Sequence, residues 1–399
     1  MNRQLRFRFS LRMLLLAMLV LGLFLGWYGR EWDRLRRQRA IATQFQSRGG
    51  YVAYDPKLPA PNQKNSPGQP LSRVAGRMLF GEDAFAHIDT VWLKDSKPGD
   101  FELFINLPQL KGLLLKQPPD DCLEQLVRNR KLESLDLQHF RLNRARFELL
   151  QRLQHLNTLS LTGNEVDDEA LESLALLHQL KTLMLDGTNL TSQGLRRVAE
   201  LEHLQRLYVS ASKTIDDRAI GELKPLKNLR TLSLVGTSTT SAALEHIGDM
   251  KELRTLDLSH TPLTDSGFEN LAESQLAELT VFGTAVGSQS LPQIAKMRSL
   301  RRLDLGGRNS PLTNSDLAPL AKLTELRNLS ISTNGITEEA LTHLSSLRNL
   351  RSLYLNSKAI SKAAAVRLQS DLPHCTISGS DVAGSYELPA PQPSPDEPN

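Results

Sequence analysis

The most informative feature of the chain is a recurring arrangement of apolar positions. Leu180-Lys-Thr-Leu183-Met-Leu185 sets the frame: two leucines three residues apart, then a third two residues on. The same frame starts at Leu110, Leu132, Leu156, Leu204, Leu229, Leu253, Leu276, Leu300, Leu326 and Leu350, at spacings of 22 to 26 residues and most often 24. Its third position varies only among Leu, Val209, Val281 and Ile331. Weaker copies flank the array at Ile88-Val91-Leu93 and Leu372-Cys375-Ile377, which brings the total to thirteen.

Each frame predicts two elements. The spacing of three continues backwards, as in Leu171, Leu174, Leu177 and Leu180, or Leu341, Leu344, Leu347 and Leu350. That series gives a helix an apolar stripe before the chain turns. The alternation that follows, as in Leu183-Met184-Leu185, is the period of a strand. One repeat cannot bury both of its apolar faces alone, so neighbours must stack. The expected stack is one parallel sheet covered on its outer side by helices. Strands pack about 4.8 Å apart and helices about 8–10 Å, so the stack is expected to curve with the sheet inside.

A polar column follows each strand. Asn164, Thr188, Thr237, Thr261, Thr284 and Asn334 stand three residues after the third apolar position, and Gly163, Gly187, Gly236 and Gly283 stand just before it. A buried Asn or Thr there can satisfy backbone groups left open by a sharp turn. The pairs Asp167-Asp168, Thr191-Ser192, Thr264-Asp265 and Thr337-Glu338 are N-cap types that open the helices.

Outside the array the pattern changes. Met13 to Gly29 is an uncharged apolar run of seventeen residues, flanked by arginines and by Trp27, Tyr28 and Trp32. As a helix it would rise about 25 Å, at the short end of what spans a bilayer, and the rings suit the membrane interface. We expect an uncleaved transmembrane helix over 13–29 behind a basic segment, 1–12. A cleaved signal peptide is the alternative, but no small-x-small pair closes the run. Gly22 and Gly26 are spaced to let two such helices approach as a weak homodimer.

Four arginines precede the run and five follow closely, so positive-inside counting is balanced. A short basic N-terminal stretch usually stays in the cytoplasm, which inclines the solenoid to the extracytoplasmic side. Residues 30–75 read as a charged juxtamembrane helix, stopped at Gly49-Gly50, and a linker with five prolines between Pro56 and Pro70. The solenoid is expected over 76–378, and a disordered Pro-rich tail over 379–399.

Composition changes the picture at one point. The 399 residues carry a net charge of +4, yet nine Arg and only two acids lie in the first 39. The rest holds 39 basic and 42 acidic residues. The basic pI therefore describes the N-terminus and does not argue for a nucleic-acid partner.

The run Leu180 to Thr191, L-x-x-L-x-L-x-G-T-x-L-T, resembles the leucine-rich-repeat superfamily, in its type of roughly 24 residues. Phe9-Ser10-Leu11-Arg12 before the apolar run, and Leu79-Phe80-Gly81-Glu82-Asp83-Ala84-Phe85 after the linker, are similar to a group of membrane-anchored bacterial repeat proteins. The resemblance covers about residues 79–378. It implies an α/β fold: a right-handed leucine-rich-repeat solenoid, or horseshoe, with a parallel inner sheet and outer helices, preceded by one transmembrane helix. The repeat signature is lost at Gly112 to Phe140 and at Asn309-Ser310-Pro311.

The search for chemistry is negative. There is no phosphate-binding loop, nucleophile elbow, H-E-x-x-H or C-x-x-C, so neither an enzyme nor a cofactor is expected. Cys122 and Cys375 lie about eleven strand frames apart, too far to pair. His155 and His203 share a repeat position without a third ligand, so no metal site is expected. Function is expected on the inner sheet face, since concave solenoid faces are the usual recognition surface. Alternation places Asp136, Tyr208, Asp257 and Asp304 there, with Asp186, Arg206, Glu278, Phe282 and Arg302 beside them. These residues predict a protein or peptide ligand carrying basic groups, held by the rings and steered by the carboxylates. The alternative is a structural or spacer role in the cell envelope.

Overall fold

The computed structural model describes residues 11–54 and 88–389, apart from 95, 141, 167, 175–176, 308–309 and 382–383. Residues 1–10, the Pro-rich linker 56–70 and the tail beyond 389 lie outside the described residues. The chain divides into two compact units, Met1–Leu132 and Glu133–Asn399. The division falls inside Gly112 to Phe140, where the repeat signature is lost.

The first unit begins with α1, Leu11–Gln46, whose two halves differ. Leu35, Gln38, Ile41, Ala42 and Phe45 are buried and share one helical face. The Phe45 ring lies 5.7 Å from Phe104 of α2, Pro98–Ile105. Just beyond α1, Arg48 grips Asp100 through both carboxylate oxygens at 2.6 and 2.5 Å. Burial alone pushes the Asp100 carboxyl up, but the Arg48 bonds and the Lys97 N–H outweigh it and hold the group below its ordinary value. Strand β1, Tyr51–Tyr54, pairs antiparallel with β2, Ile88–Leu93, which pairs in parallel with β3, Gly112–Lys116. The short helix α3, Cys122–Leu126, follows. The last third of α1 and β1 thus cover the start of the repeat array, a role that reading the segment as a juxtamembrane helix did not assign.

The other half of α1 is bare. From Leu15 to Trp27 every residue is exposed. No helix among the described residues is long and apolar enough to cross a membrane. The expected transmembrane helix over 13–29 is corrected on that point. The residues are helical and the helix has 36 residues, but only seventeen consecutive ones lack charge, and Arg30, Glu31, Asp33 and Arg34 follow at once.

The second unit carries twelve strands. They are β4 Ser134–Gln138, β5 Thr158–Ser160, β6 Thr182–Met184, β7 Arg206–Tyr208, β8 Thr231–Ser233 and β9 Thr255–Asp257. Then come β10 Glu278–Thr280, β11 Arg302–Gly306, β12 Asn328–Ser332, β13 Ser352–Asn356, β14 Thr376–Asp381 and β15 Gly384–Leu388. From β4 to β14 every neighbouring pair is parallel and in sequence order. Strand β15 turns back antiparallel to β14 and ends the sheet. That hairpin corrects the expected disordered tail, which was drawn from Gly379. The prolines begin only at Pro389, so a strand fits before them.

The leucine columns form the core, and Leu183, Leu232 and Leu256 are fully buried. Their backbone register is exact across strands, Leu183↔Leu207↔Leu232↔Leu256. Helices or helical turns link the strands, and three of the later ones, Phe268–Leu271, Ser315–Lys322 and Glu338–His343, tighten to 3₁₀. In the second of these Pro319 withholds an N–H.

The polar column is buried from Asn164 to Thr284, whereas Asn334 is exposed and Thr333 is buried beside it; the threonine bonds are local. Thr188, Thr237, Thr261 and Thr284 each donate a hydroxyl to the carbonyl three residues back, at 2.6 to 2.8 Å. The residue just before the column is left-handed in turn after turn: Gly163, Gly187, Gly236 and Gly283, but also Gln117, His139, Ala211 and His260. Its N–H continues the ladder beyond the strand, as from Gly187 to Ser210 O and from Ala211 to Val235 O.

A candidate recognition face on the sheet

Alternation turns two residues of each short strand away from the core. In the second unit these make continuous rows. One runs Asp136, Ser160, Met184, Tyr208, Ser233, Asp257, Thr280, Asp304, Ser330, Tyr354, each paired with the next. The row beside it holds Arg206, Thr231, Thr255, Glu278 and Arg302. Asp186 and Phe282 lie just beyond their strands, on the far side of the first row.

The nine predicted residues therefore share one face but not one place. Asp257, Glu278, Phe282, Arg302 and Asp304 come together on or beside the adjacent strands β9 to β11. Asp186, Arg206 and Tyr208 form a second group on or beside β6 and β7. Asp136 on β4 stands apart from both, three strands from Tyr208, or about 14 Å at ordinary strand spacing.

Most of the charges in these groups are already tied down. Asp186 Oδ1 accepts the Ser210 N–H at 2.7 Å. Arg206 Nε donates to Thr182 Oγ1 at 2.9 Å. Asp257 Oδ1 accepts the Ser259 N–H and hydroxyl at 2.9 and 2.6 Å. The Phe282 ring stands edge-on to His260, 5.4 Å between centroids. Glu278 and Arg302 sit directly opposite each other in the register.

Two carboxylates behave differently. Asp136 and Asp304 are half-buried, and burial pushes both carboxyls above their ordinary value. Hydrogen bonds from Gln138 and Ser160 oppose the rise at Asp136. At Asp304 the Ser330 bond opposes it, the nearby Asp257 charge adds to it, and Arg302 pulls it back. In each, Oδ1 is buried without a hydrogen-bond partner. Polar oxygens kept dry and unpartnered are uncommon in folded proteins, and neither was legible in the pattern. The sequence also gave no reason to favour Tyr354, two strands from Asp304 in the same row and 41% exposed.

Nothing in the geometry suggests reaction chemistry. Among the described residues no group of three His, Cys, Asp or Glu could hold a metal ion. Cys122 and Cys375 are buried thiols outside any disulfide, and burial raises the Cys375 thiol to about 11. His155 and His203 are exposed.

Comparison with known proteins bears on the fold. No curated protein matches the chain. Among solved structures, an internalin (inlF) from Listeria monocytogenes is 17% identical, with a TM-score of 0.50, over 74% of this chain and 89% of that one. A plant peptide hormone receptor, RGFR1 in complex with RGF2, is 18% identical, with a TM-score of 0.41, over 69% of this chain and 48% of the other. Identities this low speak to architecture alone. A family model described as a leucine-rich repeat region matches residues 109–381, more than half the chain. With the repeating frame, the parallel strands and the buried leucine columns, that match places the chain in the leucine-rich-repeat family.

Proposed function

We propose that the chain is a binding scaffold. Its sheet face in the second unit docks a protein or peptide partner carrying basic residues, and the bare start of α1 attaches it to a membrane. The observation that supports the first part is the unbroken row from Asp136 to Tyr354 on the open side of the sheet, which sets carboxylates and aromatic rings on neighbouring strands. The aromatic side chains Tyr208, Phe282 and Tyr354 lie on the same face and supply the rigid contact area on which interfaces rely. Tyr208 and its neighbours hold the ligand, and the carboxylates steer it. The rows run across neighbouring strands, so one extended segment can touch several repeats.

The membrane part rests on the exposed leucines and rings between Leu11 and Trp32, which no part of the described chain covers. Arginines on both sides suit lipid phosphates. A side chain added at Gly22 or Gly26 would meet nothing within 4 Å, so this surface also has room for a second copy. Because a short basic N-terminal stretch usually stays in the cytoplasm, the solenoid is assigned in this reading to the extracytoplasmic side.

The test is a panel of labelled lysine- and arginine-containing peptides offered to the purified full chain in detergent. A binder found in this way should weaken at least tenfold with Tyr208→Ala. Asp257→Asn should chiefly reduce the salt dependence of its binding, since exposed charge pairs give only about 0–1 kcal/mol of affinity. Affinity unchanged by both substitutions removes the sheet face from consideration. Flotation of the full chain on vesicles, lost when residues 1–29 are deleted, tests the attachment.

A further inference from the structure

The stretch that breaks the repeat signature, Gly112 to Phe140, leaves a cavity on the helical side of the first unit. It holds about 240 Å³ between α2 and the turn after α3. Phe101, Phe104, Leu107 and Leu126 form an apolar floor and are themselves almost fully buried. Ile105, 53% exposed, stands at the rim. The rest of the rim is basic: Arg128, Arg130 and Lys131 are all exposed, and no acidic side chain among the described residues lines the cavity. None of the three cations has an ion-pair partner among the described residues. Between them, Asn129 Oδ1 accepts the Lys131 N–H at 3.3 Å, while its Nδ2 is buried without a partner.

We propose that this cavity is a second docking site, independent of the sheet face, for an acidic peptide segment of another protein. One apolar side chain enters the cavity. Carboxylates on either side of it meet Arg128, Arg130 and Lys131. The volume fits this occupant. Sites for whole small molecules run to about 300–1,000 Å³, whereas this smaller space admits one leucine or phenylalanine side chain with room around it. Charge-assisted bonds to the guanidinium groups supply orientation.

Position favours a peptide over a lipid headgroup. Phe104 touches Phe45 of α1, and sixteen helical residues separate Phe45 from Gly29, where the apolar run ends. At about 1.5 Å per residue that is roughly 24 Å of helix. The cavity therefore lies well along α1 from any lipid that covers the apolar run.

The experiment uses the full chain in a non-ionic detergent and fluorescence polarisation of labelled Asp-Glu-Leu-Glu-Asp. Saturable binding is expected, at least tenfold tighter than for Lys-Lys-Leu-Lys-Lys and for Asp-Glu-Ser-Glu-Asp. Arg130→Glu combined with Lys131→Glu should weaken binding at least tenfold, and Arg128→Ala severalfold, with unchanged circular dichroism. Tyr208→Ala should leave it untouched, which separates this site from the sheet face. The proposal fails if the serine peptide binds equally well, for then only charge is read. It also fails if the charge reversal has no effect, or if short-chain phosphatidylglycerol displaces the peptide at equal concentration, which would make the site one for lipid.

Discussion

Asn164 tests the account of the polar column most sharply, because one side chain there serves two repeats. In four repeats the column residue is a threonine whose hydroxyl returns to the carbonyl at the end of its own strand, and at Thr188 and Thr237 the N–H returns there too. In the repeat of β4 that position is Phe140, which has no hydroxyl. The structure compensates from the next repeat. Asn164 Nδ2 donates to Leu137 O at 2.5 Å, and Asn164 Oδ1 accepts the Phe140 N–H. Asn164 is 2% exposed, so water does not replace it easily. Asn164→Ala should strand one buried acceptor and one buried donor, each at about 1–3 kcal/mol, hence about 2–6 kcal/mol together. Thr237→Ala removes a hydroxyl from a carbonyl that keeps the Thr237 N–H and takes one partner from the buried Thr239 hydroxyl, so about 1–2 kcal/mol is expected. Asn164→Thr should recover little, since a threonine there reaches Leu161 O and not Leu137. Urea unfolding of the three variants gives the ranking, and hydrogen exchange over 137–140 locates the loss. Equal costs for Asn164→Ala and Thr237→Ala, or unchanged exchange at Phe140, would refute the bridging role.

Three further predictions rest on other parts of the fold. Gly283 has φ +72, and a Cβ there would lie 2.4 Å from the His260 ring. Gly283→Ala should therefore cost more than the roughly 1–2 kcal/mol of a left-handed alanine. Gly187→Ala, with open space around it, should cost only that, and His260→Ala should narrow the difference in thermal unfolding. The Asp304 carboxyl is raised in the folded state, so its contribution is most favourable below the ordinary carboxylate pKa and is lost as pH rises through the folded value. Asp304→Asn should thus stabilise the chain at pH 7, with the gain vanishing in urea titrations at acidic pH. Arg48→Ala leaves the Asp100 carboxylate buried and unpaired; a loss of about 2–4 kcal/mol is expected at pH 7, somewhat below that for a fully buried pair because Arg48 keeps some water. Because the Asp100 carboxyl is depressed in the parent, the stabilisation it supplies should fade as pH falls through that depressed value. The difference between the two proteins should shrink with it.

What could be read from the sequence was whatever repeats. The L-x-x-L-x-L frame located every strand from β2 to β14, because each leucine must reach the core whatever lies beside it. Gly163, Gly187, Gly236 and Gly283 marked the left-handed turn. Gln117, His139, Ala211 and His260 adopt the same conformation without advertising it, since the sheet continued through the turn imposes it on them. The ends were misread for a related reason. A terminal repeat has a neighbour on one side only, so its cover need not follow the frame. Leu35, Gln38, Ile41 and Phe45 make a helical stripe that the surrounding arginines obscure, and β15 has no leucine frame at all. At the candidate site, alternation placed all nine residues on one face. It could not show that they fall into two groups with Asp136 alone, or that Asp136 and Asp304 each keep an oxygen dry, because both facts depend on side-chain packing between strands.

A second kind of link was hidden in the N-cap residues. Asp168 and Asp265 were read as opening their own helices, and Asp217 and Asn314 stand at comparable positions. Their side chains instead hold the next repeat: Asp217 accepts both the N–H and the hydroxyl of Thr240 at 2.6 Å, Asn314 accepts the Thr337 N–H at 2.7 Å, and Asp265 accepts the Gly287 N–H at 2.5 Å. These clamps lie where each repeat leaves the sheet, while the left-handed turns continue the ladder at the strand ends. Neighbouring repeats are thereby tied together twice beyond the C-terminal ends of their strands. The side chains between them inherit that order, as Arg206 does through Thr182 and Asp257 through Ser259. A ligand meeting this face would find those groups already ordered and lose little further entropy at them. In the proposed binding mode the rings then carry most of the affinity, Tyr354 being the most open of them at 41%, and the carboxylates set the orientation.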